Sequence, residues 1–141
     1  MEETKYINYH KGYKYQLTHT TKFQVNIYPV ADVTTEFVSL TTTGILTIKA
    51  GYAWDGPSGP TIDTLTFMRG SLVHDALYQL MRLELLPLSE KVTADKELKR
   101  ICLEDGMSKI RVWWVIKGLE IFGSAATKPK NKKRVYRAPK G

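Results

Sequence analysis

The residues of this chain best suited to chemistry are a histidine and an aspartate that stand side by side in R-G-S-L-V-H-D-A-L-Y-Q-L-M-R, residues 69–82. At about 100° per residue, a helix here places a polar stripe within an arc of about 100° and leaves the rest of its surface apolar. The stripe consists of Ser71, His74, Asp75, Tyr78 and Arg82. Because an imidazole can accept a proton from water, the stripe is a candidate general-base site.

A carboxylate on the next predicted helix is placed to orient that imidazole. Asp95 lies at the edge of the apolar stripe of this second helix, and the short link L-P-L-S predicts that the two helices are antiparallel neighbours. Asp95 would then face His74, fix its tautomer and stabilise its cation. We therefore predict a catalytic pair of His74 and Asp95. The alternative is a structural role, in which His74 and Asp75 bond the preceding loop while Asp95 pairs with Arg82 or Lys99.

A loop rich in glycine and proline precedes the stripe. The segment G-Y-A-W-D-G-P-S-G-P-T-I-D-T, residues 51–64, contains three glycines and two prolines, which are unsuited to helix or strand. Loop carbonyls and neighbouring carboxylates are the oxygen ligands that Ca²⁺ prefers, so calcium is a candidate cofactor. Zinc is less suited, because the chain has one cysteine and because His10 and His19 lie in the strand region without ligand spacing.

The elements that must position these residues indicate an α+β fold. Alternating, β-branched and aromatic segments at 13–17, 22–28, 36–40 and 44–50 predict one antiparallel sheet of about four strands with one wet face, with a hairpin turn at 41–44. Three helices follow, over about 66–86, 89–106 with Ser89 as N-cap, and 108–122 with Gly123 beyond. We expect a single domain over residues 1–127 and a flexible basic tail over residues 128–141.

The third predicted helix contains V-W-W-V-I-K-G-L-E-I-F and raises the question of a membrane span. Charged residues interrupt its apolar run, so it is not expected to be transmembrane. These are Lys109, Arg111, Lys117 and Glu120. We expect Trp113 and Trp114 to pack in the core; the alternative is an anchor at a membrane interface, with the basic tail alongside.

The net charge of +7 is carried by the end of the chain. Seven cations and no acid lie between Lys128 and Lys140, whereas the preceding 127 residues balance 14 cations against 14 acids. Such a tail can tether a protein loosely to an anionic lipid surface or to nucleic acid. The predicted contact residues are Lys128, Lys130, Lys132, Lys133, Arg134 and Arg137. Sequence-specific DNA binding is ranked last, because the body of the chain offers no basic recognition helix.

Four motifs together resemble a family of small phage and prophage proteins without an established activity. They are W-D-G-P-S at 54–58, F-M-R-G-S-L-V-H-D-A-L-Y at 67–78, A-D-K-E-L at 94–98 and an aromatic helix that ends in I-F-G. The resemblance covers roughly residues 13–123 and implies a viral protein in the host cytoplasm or the virion. The first ten residues lack the basic start and apolar run of a signal peptide, so export is not expected.

A narrower resemblance concerns the two central helices. H-D-A-L-Y resembles the H-D-x-x-Y helix of the secreted and prokaryotic phospholipase A-two group, and A-D-K-E-L-K-R-I-C-L resembles that group's second helix, whose Asp partners the His. It implies that His74 is the base for a water that attacks an ester carbonyl and that Asp95 orients it. Asp75 would be a calcium ligand, and Tyr78 would support the pair.

The same resemblance assigns roles to the loop. Asp63 would be a second calcium ligand, and loop N–H groups around Gly56 and Gly59 would stabilise the oxyanion. Further supporting residues are Trp54, Asp55 and Arg82. The resemblance covers about residues 51–106, and the glycine spacing, the two loop prolines, the absence of disulfides and the N-terminal sheet all depart from that group.

Two classes of function follow. The first is a phage-encoded hydrolase with a His–Asp pair that acts on an ester such as a phospholipid, with calcium as its candidate cofactor. The second is a non-enzymatic virion, assembly or host-interaction protein that binds an anionic ligand, nucleic acid or a partner protein.

Overall fold

The structure is a computed structural model that describes residues 7, 9–10, 15–54 and 65–126. Antiparallel sheets occupy the N-terminal half and three helices follow, which confirms the predicted α+β class. The chain separates into two compact units, with the boundary between residues 56 and 57. Because two such units can belong to one folding domain, the single domain over residues 1–127 stays a prediction.

The N-terminal unit contains seven short strands in its described residues. They are β1 (Tyr9–His10), β2 (Tyr15–Leu17), β3 (Thr21–Gln24), β4 (Val33–Thr34), β5 (Val38–Leu40), β6 (Ile45–Ile48) and β7 (Ala53–Trp54). All pairings are antiparallel, in a three-stranded sheet of order β1-β2-β7 and a four-stranded sheet of order β3-β6-β5-β4. Strand β3 alternates buried and exposed residues, as a strand with one wet face should.

The prediction of one sheet of about four strands was therefore wrong. The second, third and fourth predicted segments correspond to β3, β5 and β6, which pair in one sheet. The first corresponds to β2, which pairs instead with β7, at the start of the segment predicted as loop. Trp54 is buried in β7, where its ring centroid lies 5.6 Å from that of Tyr15. Alternation along a chain marks strands, but it does not say which partner each strand takes.

The hairpin turn predicted at 41–44 is confirmed and joins β5 to β6. The Gly44 N–H donates to the Thr41 carbonyl at 3.0 Å, and the Thr41 N–H donates to the Ile45 carbonyl at 3.0 Å. Gly44 has a φ of 85°, and a Cβ there would lie 2.4 Å from the Val25 carbonyl oxygen. Both the positive φ and the lack of space therefore require glycine at this position.

The helical unit contains α1 (Leu65–Arg82), a single 3₁₀ turn (Leu88–Glu90), α2 (Lys91–Glu104) and α3 (Lys109–Ala126). The expected end near Gly106 is confirmed for α2, since Gly106 has a φ of 98° and the Met107 N–H donates to the Cys102 carbonyl at 2.9 Å. The predicted N-cap Ser89 lies instead inside the 3₁₀ turn. Helix α3 runs on through Gly123, which was expected beyond its end.

Helix α1 stops earlier than predicted, because a non-glycine residue ends it. Glu84 has a φ of 61°, its N–H donates to the Met81 carbonyl, and the Leu85 N–H donates to the Leu80 carbonyl. This is the Schellman pattern that usually carries glycine. Without a glycine in the sequence, periodicity alone placed the end too late.

Helices α1 and α2 pack closely and antiparallel, as the short link predicted. A Cβ added at Gly70 would lie 2.8 Å from the Cys102 Sγ and 2.9 Å from the Leu98 Cδ1. An apolar cluster surrounds this contact and includes residues on one face of α3. Its buried members are Phe67, Leu98, Cys102, Met107 and Val112, and Leu103, Val115, Ile116 and Leu119 pack against them.

The expectation that Trp113 and Trp114 pack in the core was wrong. Their exposed fractions are 52% and 66%. The reason is that α3 is apolar on two sides, and the side that carries Val112 and Ile116 occupies the core. Among the described helices, none has the length and apolar character needed to cross a membrane.

Candidate active site

The candidate site consists of a histidine on α1 and an aspartate on α2 that are in direct contact. His74 Nε2 lies 2.7 Å from Asp95 Oδ1. The exposed fractions of the two residues are 8% and 7%, so the contact is shielded from most solvent. The antiparallel packing of the two helices brings together residues that are far apart in the sequence.

Two further donors hold the Asp95 carboxylate. The Tyr78 hydroxyl donates to Asp95 Oδ1 at 2.6 Å, and the Lys91 ammonium donates to Oδ2 at 2.9 Å. Tyr78 lies one turn after His74 on α1, and their ring centroids are 4.0 Å apart. Lys91 lies one turn before Asp95 on α2. Both carboxylate oxygens are thus hydrogen-bonded, which fixes the side chain in one orientation.

These contacts set the charge state of the site. Burial by itself would raise the pKa of Asp95, but the hydrogen bonds from His74, Tyr78 and Lys91 outweigh it and hold the pKa below its ordinary value. Asp95 is therefore ionised at neutral pH. Burial first, and then the hydrogen bond to Asp95, raise the pKa of Tyr78 well above its ordinary value, so its hydroxyl keeps its proton.

The charge state in turn assigns the histidine proton. An ionised carboxylate can only accept, so the contact with Asp95 places a hydrogen on His74 Nε2. In the neutral imidazole the lone pair then lies on Nδ1. Within the part of the chain that the structure describes, Nδ1 makes no hydrogen bond. A neutral His74 in this tautomer therefore has a basic nitrogen at the ring edge away from Asp95.

The structural alternative predicted Arg82 or Lys99 as the ionic partner of Asp95. Its ionic partner is Lys91, whereas Arg82 is buried and donates to Gln79 Oε1 at 2.8 Å. Sequence reasoning missed Lys91, although its spacing of one helical turn from Asp95 is a visible signal for such a pair.

The remaining predicted site residues are only partly described. Asp75 is half-buried and follows His74 on α1, and Trp54 lies in β7 of the N-terminal unit. Asp55, Gly56, Gly59, Asp63 and the basic tail lie outside the described residues. No three His, Cys, Asp or Glu side chains of the described ranges converge as metal ligands would, and calcium stays a prediction.

A second polar cluster, with the buried Arg69 at its centre, lies between the other ends of the same helices. Arg69 Nε and Nη2 donate to the two oxygens of Asp105 at 3.1 and 2.9 Å, and Nη2 also donates to Glu104 Oε1 at 2.7 Å. Burial would lower the pKa of Arg69, but the hydrogen bonds to both carboxylates raise it instead. Sequence reasoning missed this cluster, because its members are distant along the chain and show no local spacing.

The single thiol lies in the apolar contact between the two clusters. Cys102 is buried, as predicted, and burial raises the pKa of its thiol to about 12. A thiol that stays protonated is a poor nucleophile and a poor metal ligand, so Cys102 is a packing residue.

Comparison with known proteins adds no family to this geometry. The chain matches no protein-family model, and comparisons with curated proteins and with solved structures found no match.

Proposed function

We propose that the protein is an ester hydrolase in which His74 is the general base and Asp95 orients it. One observation carries the proposal: the 2.7 Å contact that joins His74 Nε2 to an aspartate held by two further donors. A fixed carboxylate on one imidazole nitrogen sets the tautomer and favours the cation that forms when the other nitrogen takes a proton.

The proposed reaction uses Nδ1 of His74. Nδ1 removes a proton from water, and the water oxygen bonds to the ester carbonyl carbon to give a tetrahedral oxyanion. The carbon–alkoxide bond then breaks, and the imidazolium returns its proton to the departing alkoxide. The products are a carboxylic acid and an alcohol, and His74 is neutral again. Asp95 stabilises the imidazolium throughout, because its lowered pKa keeps it ionised.

The substrate class rests on the resemblance to the phospholipase A-two group, which favours a phospholipid ester. Calcium belongs to the same proposal, with Asp75 and Asp63 as ligands that would place the ion against the ester carbonyl and polarise it. The described residues contribute only Asp75 to that site, so the steps above use only the chain's own side chains.

The test is ester release from mixed phospholipid micelles, measured with calcium and with chelator. We expect His74→Gln and Asp95→Asn to lower the rate by about 10²–10⁴-fold, which is the rate enhancement that a general base usually contributes. His19→Gln is the matched control, because His19 is an exposed histidine of the N-terminal unit. Rescue of His74→Ala by added imidazole would identify a base, since a packing role would not respond to it.

Equal rates for the wild type, His74→Gln and Asp95→Asn would contradict the proposal. A rate that depends on His74 but not on chelator would support the pair and remove calcium. Activity on short water-soluble esters, with none on micelles, would keep the reaction and change the substrate class.

The second candidate is a non-enzymatic virion, assembly or host-interaction role. The specific observation in its favour is that both members of the pair are more than nine-tenths buried, as expected of a polar contact that only stabilises the helix pair. A thermal-shift screen against nucleotides, lipids and DNA tests it, with a ligand-induced shift in a protein that hydrolyses no ester as the expected result.

A further inference from the structure

We propose that the outer face of α3 docks the protein on the surface of an anionic phospholipid bilayer. The outer face consists of Ile110, Trp113, Trp114 and Lys117. This proposal goes beyond the hydrolase and does not depend on it, since it concerns a surface rather than a reaction.

Helical geometry gathers these residues on one side of α3. At about 100° per residue they fall within one arc of about 100°, opposite the side that packs in the core. Val112 and Leu119 lie on that packed side, with Val112 buried in the apolar cluster. The helix therefore has two apolar sides, and the core uses only one.

The large apolar side chains of the outer face are mostly exposed to solvent. The exposed fraction is 75% for Ile110, and both tryptophans are more than half exposed. The tryptophan rings meet edge to face with centroids 4.9 Å apart, so they form one continuous aromatic surface. Scattered apolar residues are ordinary on a protein surface, but three large ones on one helical face mark an interaction site.

Charge selects the partner. Over α3 the chain has three cations, Lys109, Arg111 and Lys117, against one acid, Glu120. Lys117 lies on the outer face, with its Nζ 5.5 Å from the centroid of the Trp113 ring. Lys109 and Arg111 fall at the two edges of the face on the same helical projection. The tail that follows α3 adds seven cations and no acid between Lys128 and Lys140.

Aromatic rings bordered by cations are the pattern of a helix that lies in a membrane interface. Tryptophan resides at the headgroup level, isoleucine reaches the acyl boundary, and lysine and arginine meet anionic headgroups. Nucleic acid would also attract the cations, but it offers no apolar layer that would cover Ile110. The outer face therefore favours lipid over a polyanion of another class.

The test is binding of the full chain to vesicles of phosphatidylglycerol and phosphatidylcholine, measured by co-sedimentation and by tryptophan emission. We expect binding to anionic vesicles, little binding to pure phosphatidylcholine, and a blue shift from Trp113 and Trp114. Trp54 is buried and would contribute no shift. Binding should weaken as salt is raised, because the headgroup attraction is screened.

Two sets of variants locate the contact. Trp113→Ser with Trp114→Ser should lower the partition coefficient by roughly tenfold or more, because it removes the inserted rings. Lys109→Gln, Arg111→Gln and Lys117→Gln together should lower it by about 100-fold, since each cation near the surface contributes to attraction. The matched control is Leu65→Ser with Val92→Ser, which changes two exposed apolar residues of α1 and α2.

Three results would overturn the proposal. The first is equal vesicle binding by the wild type and the Trp113→Ser, Trp114→Ser protein. The second is no vesicle binding, with duplex DNA binding that the α3 variants abolish. The third is a dimer in sedimentation velocity that dissociates in the tryptophan variant and binds no vesicles. His74→Gln should bind vesicles like the wild type, so a failure here is separate from a failure of the hydrolase.

Discussion

Helices α1 and α2 hold two polar clusters, each built around a buried charged side chain, and the clusters differ in what their charges can do. At one end Arg69 is clamped by Asp105 and Glu104. At the other end Asp95 is held by His74, Tyr78 and Lys91. The first cluster places one cation between two carboxylates, and the second places one carboxylate among three donors.

The clusters differ in the side chain that α1 contributes, which is the guanidinium of Arg69 in one and the imidazole of His74 in the other. A guanidinium keeps its charge at every physiological pH, so the Arg69 cluster can stabilise the helix pair but cannot transfer a proton. An imidazole has a second ring nitrogen that can accept a proton, and the Tyr78 hydroxyl, which keeps its proton, holds the carboxylate in place beside it. The same two helices thus carry an ion pair that has no group to transfer a proton and a contact that has one, the imidazole of His74.

The largest expected effect separates the two clusters by reaction rate. Asp95→Asn should lower ester hydrolysis by about 10²–10⁴-fold, because the amide no longer stabilises the imidazolium. Arg69→Gln should leave the rate per folded molecule within about twofold, since Arg69 has no role in proton transfer. Initial rates, normalised to the folded fraction from circular dichroism, measure both. A comparable loss of rate in both variants would erase the distinction.

Stability should show a smaller contrast. Asp95→Ala should lower the free energy of unfolding by about 3 kcal/mol, because it leaves the buried hydrogen-bond donors of His74 and Tyr78 without an acceptor. Arg69→Met should cost about 2 kcal/mol, below the range for fully buried pairs, because Glu104 and Asp105 are partly exposed. Urea denaturation at neutral pH gives both values. Exposed His19→Gln serves as the reference and should be near zero.

The pH dependence of stability should carry the signature of Asp95. Its pKa is lowered by folding, so its ionised form stabilises the folded protein at every pH above its ordinary value of about 4. That contribution is lost as the pH falls through the lowered pKa. The difference in melting temperature between wild type and Asp95→Asn should therefore shrink as the pH falls below about 4, because the Asp95 carboxylate is then protonated in both the unfolded and, at lower pH, the folded protein. A difference that grows toward acid pH would reverse the assigned sign.

The smallest effect concerns the spacing of the helices that carry both clusters. Gly70→Ala should destabilise the protein by about 1 kcal/mol, because the clash with Cys102 and Leu98 exceeds the gain in helix propensity. Gly118→Ala is the matched control on α3, where a Cβ has open space and should stabilise by up to about 1 kcal/mol. Thermal melts of the two variants should shift in opposite directions.

Helical periodicity and a short link were sufficient to predict that His74 faces Asp95. Both signals are local, and the antiparallel packing of neighbouring helices leaves little choice of partner. The contact of Lys91 with Asp95 is local in the same way, since the two residues lie one helical turn apart. The Arg69 cluster does not, because its contacts join the start of α1 to the end of α2 and depend on the helix spacing that Gly70 permits.

Other parts of the fold lay beyond the sequence pattern for identifiable reasons. The pairing of β2 with β7 is non-local, and strands of two or three residues have too little alternation to specify a sheet. The end of α1 carries Glu84 where glycine usually marks the stop. Trp113 and Trp114 lie on a helix with two apolar sides, and composition does not say which side the core takes.

Because Cys102 is buried between α1 and α2, the reactivity of its thiol reports on transient separation of the two helices. Alkylating reagents attack the thiolate, which a pKa of about 12 keeps scarce while α1 and α2 stay packed. The sequence has no second cysteine to compete for the label. The labelling rate of the native protein therefore tracks how often this helix pair separates, and it would register any ligand that holds the two helices together.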